Sequence, residues 1–364
     1  MVRNGRTAIG WLLVVAVGAL AAGAGRAYAA PSHPVPLFTF ADSRITESSG
    51  LGTSSYGDGI VYTHNDSGDT ARFFAVNSSG ATVGVYTMQG ATADDWEDMA
   101  TGTDSAGRPV LYFGDIGDNA SKRTEIDVYQ VPEPRGPSAN VPWVRYRFHY
   151  PDGPHNAETL MVDPHTHRLY IASKVTLAEG TLYEAPATLS TTDVNVLEVV
   201  RSGMPLLTTA GDISPDGKLM VLLTYFGAYW AVGVNGTLHA FPVPEQRQNE
   251  GIAFTRDGRS VIVDSEGVHS AVYQVAVPAA ASAAVSSQPA LSMPVTSPAP
   301  APSSGMRRLV AQAELASSRN LWLRWVVLVV LVSILGVLLV LARRFDAWPW
   351  GPRGFMPGSP GRHR

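Results

Sequence analysis

Glu250-Gly-Ile-Ala-Phe-Thr-Arg-Asp-Gly-Arg-Ser-Val-Ile-Val-Asp264 decides the fold. A short apolar run follows the glutamate, Asp257-Gly258 supplies a tight turn, and a β-branched run closes the unit. Asp-Gly between two such runs is a hairpin signal, because glycine takes positive φ without a Cβ clash. The unit recurs along the chain. Gly211 to Leu223 repeats it around Asp216-Gly217, and Glu158 to Ala172 repeats it with one extra turn residue. Glu97 to Gly102 followed by Pro109 to Phe113 is a fourth copy with a longer loop, and Ser49 to Gly52 followed by Gly59 to Tyr62 is a fifth.

Further β-rich runs follow each copy, and no long stretch with helical period interrupts them. Five units of about forty to sixty residues with four strands each predict an all-β, five-bladed β-propeller. A two-sheet sandwich is the competing arrangement, and the repeat disfavours it. The last copy is one strand short near Val277, while Leu37-Phe-Thr-Phe-Ala41 stands unassigned before the first copy. The expectation is that this N-terminal strand completes the last blade, which would remove exposed sheet edges.

The chain has 364 residues, a net charge of -4 and no cysteine. Disulfides, thiolate metal sites and thiol nucleophiles are therefore excluded. The charge balance and the lack of a basic stripe argue against a nucleic-acid partner. Met1 to Ala29 reads as a signal peptide, with two arginines, an apolar run and Ala27-Tyr28-Ala29 as the cleavage signal. Residues 36–278 form the expected propeller. Residues 279–320 are rich in Ala, Ser and Pro and read as a stalk and juxtamembrane segment. Residues 321–342 are long and apolar enough for one transmembrane helix, with Trp322 and Trp325 at one end and Arg343-Arg344 at the other. The positive-inside rule then puts the propeller outside the cell membrane and the tail, residues 343–364, in the cytoplasm.

The functional reading begins from carboxylates. Asp94-Asp95-Trp96-Glu97-Asp98 packs four acids into five residues. Glu97, Glu158 and Glu250 open three copies of the repeat and occupy one equivalent position. Strand alternation pairs them with Asp95, Asn156 and Gln248. The corresponding pairs elsewhere are Glu47 with Ser49 and Leu207 with Thr209. Loops joining second to third strands are also acidic: Asn65 to Asp69, Asp115 to Asn119, and Asp264-Ser265-Glu266. In a propeller these positions would crowd one mouth. Hard oxygen ligands without cysteine suit Ca²⁺. The expected ligands come from Glu47, Asp66, Glu97, Asp115, Asp118, Glu158 and Glu250.

His64 and His155 are expected on the same face as acid or base. Arg72, Lys122 and Arg123 are candidates to meet an anion there, and Trp96 is expected to pack between blades. Asp216, Asp257, His165 and His167 fall in turns on the opposite face.

Glu47-Ser-Ser-Gly-Leu51, Thr63-His-Asn-Asp-Ser-Gly-Asp69, Asp95-Trp-Glu-Asp-Met-Ala100 and Gly114-Asp-Ile-Gly-Asp-Asn119 resemble motifs of secreted or membrane-anchored bacterial WD-repeat-like propellers. More distantly the chain is similar to esterase-like phytase and NHL-type propellers. The resemblance implies the fold, and fold does not carry chemistry. No Gly-x-Ser-x-Gly elbow, His-Glu-x-x-His or phosphate-binding loop is present. The reading is a membrane-anchored, extracytoplasmic binding module with an acidic, Ca²⁺-binding face for a ligand or protein. The alternative is a calcium-dependent esterase or phosphohydrolase of the phytase-like type.

Overall fold

Twenty-two short strands follow from the alternation of β-rich runs with Asp-Gly, Asn and Pro turns. The structure, a computed structural model, describes residues 33–287. The expected signal peptide, transmembrane helix and tail, and most of the stalk, lie outside the described residues. Within them no helix is long and apolar enough to cross a membrane.

Strand β1 (Val35–Thr39) comes first and is used last. The first blade is β2 (Ser48–Thr53), β3 (Val61–Asn65), β4 (Arg72–Val76) and β5 (Thr82–Thr87). The second is β6 (Trp96–Thr103), β7 (Pro109–Asp115), β8 (Ile126–Pro132) and β10 (Val144–His149), with β9 (Ala139–Asn140) between the last two. The third is β11 (Ala157–Val162), β12 (Leu169–Ser173), β13 (Gly180–Glu184) and β15 (Glu198–Met204), with β14 (Asn195–Val196) before the last. The fourth is β16 (Thr208–Ile213), β17 (Leu219–Thr224), β18 (Gly227–Val232) and β19 (His239–Phe241). The fifth is β20 (Asn249–Phe254), β21 (Ser260–Ser265) and β22 (Ala271–Ala276), and β1 completes it. β1 runs antiparallel to β22, with Val35 opposite Gln274 and Thr39 opposite Ala271. The N-terminal strand thus closes the ring.

Two blades reach back to their predecessors. β9 adds in parallel to β5 of the first blade, and β14 adds in parallel to β10 of the second. Each covers an outer edge that would otherwise offer unpaired backbone groups.

The core is divided by blade interface. Phe73, Tyr86, Trp96 and Phe113 lie among the residues between first and second blades, and Tyr112, Phe148, Leu160 and Tyr183 among those between second and third. Met161, Leu182 and Met220 fill the next gap, Leu223, Trp230 and Ile252 the one after, and Phe40, Phe74 and Ile262 the junction of fifth and first. Both faces of each blade are therefore buried, and all five interfaces are filled from within residues 33–287. Trp96 is 1% exposed and stacks on Phe113 at 5.2 Å, as expected for a residue packed between blades.

Near the axis, polar side chains link one blade to the next. Ser49 Oγ donates to the Glu97 carbonyl at 2.5 Å. Asp98 Oδ2 accepts from the N–H groups of Leu160 at 2.9 Å and Gly211 at 3.3 Å, so one carboxylate ties the second blade to the third and fourth. Asp212 Oδ2 accepts from Phe254 N–H at 2.7 Å, and Ser48 Oγ donates to Asp264. Inner strands run so close here that a Cβ on Gly50 would lie 2.6 Å from the Met99 nitrogen. That close approach, rather than a turn, requires glycine.

One segment departs from the sequence reading. Ala279–Ser286, assigned to the stalk, forms helix α1. The stretch is mostly alanine and contains no proline, so nothing stops a helix starting after Pro278. Ala281 is fully buried in the cluster between the fourth and fifth blades.

Asp98→Ala is expected to take the side-chain acceptor from three buried N–H groups, those of Met99, Leu160 and Gly211, and to lower the stability of the propeller segment by about 3 kcal/mol. Urea unfolding of residues 33–287 measures it; an unchanged midpoint would show that the carboxylate is not an inter-blade tie.

Candidate functional site

Every innermost strand carries a bulge at the same height. Pairing steps from Ser48–Asn65 to Gly50–His64, from Trp96–Asp115 to Asp98–Gly114, and from Ala157–Ser173 to Thr159–Ala172. It steps from Thr208–Thr224 to Ala210–Leu223, and from Asn249–Ser265 to Ile252–Val263. The residues inserted are Ser49, Glu97, Glu158, Thr209 and Glu250. The equivalence expected from the repeat is thus a structural one. A bulge residue leaves the ladder, and bulges gather near functional sites because they re-aim a side chain.

A second ring lies beside the first. A residue just past the second strand donates its N–H to the carbonyl two residues before the bulge: Asp66 to Glu47, Gly117 (one place further on, after the buried Ile116) to Asp95, Lys174 to Asn156, and Glu266 to Gln248, at 2.9 to 3.1 Å. In the fourth blade Tyr225, next to Thr224, holds the corresponding place. Four side chains and one glycine therefore encircle the mouth. A Cβ at Gly117 would collide with Glu97 Oε1 and Asp95 Oδ2. The missing side chain is what lets two carboxylates sit against that loop.

Electrostatics divides the mouth in two. On the side of the first and second blades, oxygens of Asp66, Asp95 and Glu97 lie within 4.8 Å of one another. Glu97 is 3% exposed. Asp66 Oδ1 is buried without a hydrogen-bond partner among the described residues. Burial and neighbouring acids favour the protonated form of these groups. Burial, with Glu158 and Asp66 nearby, pushes Glu97 well above the ordinary carboxylate range. Burial and Asp95 push Asp66 up to about 7. Asp95 is raised by burial despite the guanidinium of Arg123.

On the other side stands a lysine. Lys174 forms a buried ion pair with Glu158 and donates to Tyr225 Oη at 2.6 Å, with its Nζ 4.4 Å from the Tyr225 ring centre. Burial raises Glu158, and Lys174 offsets part of that. Glu250 is 2% exposed, accepts from Gln248 Nε2 at 2.6 Å, and is pushed by burial and Glu158 up to about 9. It therefore carries a proton at neutral pH.

The remaining expected ligands have other occupations. Asp115 is fully buried, pairs with Arg123 at 2.8 Å and accepts the N–H groups of Asp94 and Asp95. It shapes the loop that carries Asp95. Asp118 accepts from Arg123 N–H at 2.6 Å, and its own N–H donates to Asn156. Glu47 is exposed at the rim. The cations named from sequence are equally engaged: Arg72 pairs with Asp69 and Arg123 with Asp115, while Lys122 is exposed.

His64 does not face the mouth. It is fully buried between the first two blades, 5.5 Å from the Trp96 ring, with Nδ1 bonded to the Asn65 carbonyl and burial pushing the ring down to about 4. His64 lies inside β3 opposite Gly50, whereas Asp66 follows the end of that strand and is free of its alternation. His155 pairs with Asp152 at 2.9 Å and packs on Tyr150. Sequence reasoning missed Lys174 and Tyr225. Aligning the repeats on their second strands, instead of their glutamates, would have placed both in the ring with Asp66 and Glu266.

No family model matches the chain, and no curated protein matches it. Among solved structures similar to it is a gluconolactonase from Xanthomonas campestris, at 16% identity and a TM-score of 0.37, covering 67% of this chain and 89% of that one.

The raised carboxyls set a direction for stability against pH. Asp66, Asp212 and Asp264 sit at about 7 in the folded chain, so between pH 4 and 7 the folded state holds protons that the unfolded state has released. Their contribution is complete below the ordinary carboxylate range and is lost as pH rises through about 7. His64 opposes this, because its depressed value loses stability as pH falls below its ordinary 6.5. One imidazole stands against several carboxyls. The metal-free propeller is therefore expected to melt at a higher temperature at about pH 5.5 than at about pH 7.5. Thermal unfolding in a chelating buffer checks it, and the reverse order would refute the raised carboxyls.

Proposed function

We propose that the mouth binds a divalent cation, with Ca²⁺ the best fit, and that the protein is an extracytoplasmic, membrane-anchored binding module presenting this face to a ligand. The observation that carries the reading is the meeting of Asp66, Asp95 and Glu97, in which Asp66 Oδ1 is buried with no hydrogen-bond partner among the described residues. Such a group costs several kcal/mol unless it stays protonated or meets a cation. The donor set is all oxygen, and no cysteine is available, which suits a hard cation with a flexible shell completed by water. Asp66, Asp95 and Glu97 are the residues to hold it, and Gly117 leaves room above them. The described chain departs from the opposite face, where Val277 N–H bonds to Arg259 in a first-to-second-strand turn.

The hydrolase reading rests on a separate observation, the acid–base equipment facing the triad. Glu250 holds a proton at neutral pH, and Lys174 donates to Tyr225 on the neighbouring blade. A bound cation would polarise an ester or phosphoryl oxygen, and Glu250 could then protonate a leaving oxygen.

Calorimetric titration of residues 33–287 with CaCl2 is expected to show binding that releases protons and tightens as pH rises, since the ligands must ionise. Glu97→Gln should weaken it by more than about tenfold. Absence of uptake at about pH 8 would remove the cation. Turnover of generic carboxylic or phosphate esters that requires Ca²⁺ and is lost in Glu97→Gln would move the assignment from binding module to hydrolase.

A further inference from the structure

Lysine is usually a surface residue whose stem lies along the protein and whose ammonium stays in water. Lys174 does the reverse. Its side chain is 12% exposed, and its ammonium turns inward to Glu158, itself 6% exposed. Tyr225 adds two contacts from the next blade. Its Oη lies 2.6 Å from Nζ, and its ring centre lies 4.4 Å from the same nitrogen. Burial lowers the proton affinity of this ammonium, yet Glu158, Tyr225 and Glu250 outweigh it and hold Lys174 above the ordinary lysine value. A carboxylate, a phenol oxygen and an aromatic face are the surroundings of a bound cation. The lysine stem serves as its tether.

The same end of the mouth holds an oxygen that nothing uses. Thr209 is the bulge residue of the fourth blade, between the blades that carry Glu158 and Glu250. It is fully buried, and its Oγ1 has no hydrogen-bond partner among the described residues. Two carboxylates, a hydroxyl and a phenol thus meet around one place at the mouth, and all are oxygen donors of the kind a hard cation takes.

We propose that Lys174 is a resident counter-ion: its ammonium fills a second cation position, bounded by Glu158, Thr209, Tyr225 and Glu250, and so limits the mouth to one exchangeable cation. A tethered charge competes at an effective concentration that a free ion does not reach, so this half of the mouth stays loaded whatever the medium supplies. The other half, at Asp66, Asp95 and Glu97, is left to an ion from solution. That last statement rests on the reading above; the second position does not. The competing account makes Lys174 a tie between the third and fourth blades and nothing more.

Equilibrium dialysis of residues 33–287 against CaCl2 at about pH 8, where ligand protons are displaced most easily, counts ions per chain. Lys174→Met should bind one ion more than the native segment, and Lys174→Arg, which keeps the charge, should bind no more than the native one. Adding Glu158→Gln to Lys174→Met should remove the extra ion, whereas adding Glu97→Gln should not. Lys174→Met strands Glu158 and should melt earlier in chelator; CaCl2 should then raise its melting temperature by more than it raises the native one. If the variant is unfolded in chelator, refolding on addition of CaCl2, read by circular dichroism, is the same result. An unchanged count in Lys174→Met, or a chain that CaCl2 does not refold, would overturn the proposal in favour of the simple tie. So would a second ion in the native segment or in Lys174→Arg, or an extra ion that survives Glu158→Gln. No ion in the native segment and one in Lys174→Met keeps the resident counter-ion and discards the triad as a cation site.

Discussion

One extra residue per inner strand sets the geometry of this molecule. A strand in perfect register would keep its side chains in the ladder's alternation, facing one blade or the next. The bulge interrupts that alternation at the same height in five blades and releases Ser49, Glu97, Glu158, Thr209 and Glu250 from it. Below the bulge the inner strands are tied by Asp98, Asp212 and Asp264 and pack too tightly for side chains at positions such as Gly50. The two halves depend on each other. Rigid ties hold the ring of bulges in place, so acids separated by up to half the chain meet without a flexible approach.

That convergence is electrostatically costly, and the molecule meets the cost unevenly. Lys174 compensates Glu158 and lowers the burden on Glu250, whereas Asp66, Asp95 and Glu97 have no ammonium inserted among them. Arg123 comes near, but Asp115 and the Gly117 carbonyl take its donors. The guanidinium thus fixes the loop instead of neutralising the triad. An uncompensated buried carboxylate either keeps its proton or recruits a positive charge. Both outcomes are consistent with the raised values, and they are exchangeable, since a cation displaces the protons it replaces.

Much of this was legible in the repeat. The Asp257-Gly258 and Asp216-Gly217 turns mark hairpins, and the surplus strand near Leu37 marks the closure. Glu97, Glu158 and Glu250 share a position because the unit that begins with them is repeated. What the sequence hid depends on which side of a strand a residue ends up. His64 and Asp66 are two residues apart in one acidic motif, yet one lies in an aromatic interface and the other in the mouth. Lys174 follows an apolar strand and carries no motif of its own. Its role comes from the blade beside it, through Tyr225, and from the strand before it, through Glu158. The helical start of the presumed stalk was hidden for another reason: a run of alanines is compatible with a linker until a hydrophobic groove between two blades gives Ala281 somewhere to bury.

The polar and apolar halves of the rim are linked by chain geometry. A second-to-third-strand loop must leave the axis as it climbs toward the outer strands. Its first residue therefore faces the mouth and its later residues face outward. In the third and fourth blades that path runs from Lys174 to Leu177 and from Tyr225 to Phe226, from charge to apolar surface. In the first and second blades the same path runs through Asp66 to Asp69 and through Gly117 to Asp118 and Lys122, and stays polar throughout. A propeller with equivalent loops has no reason of fold to differ between its two halves. The asymmetry therefore lies in the side chains the loops carry and not in the ladder that positions them.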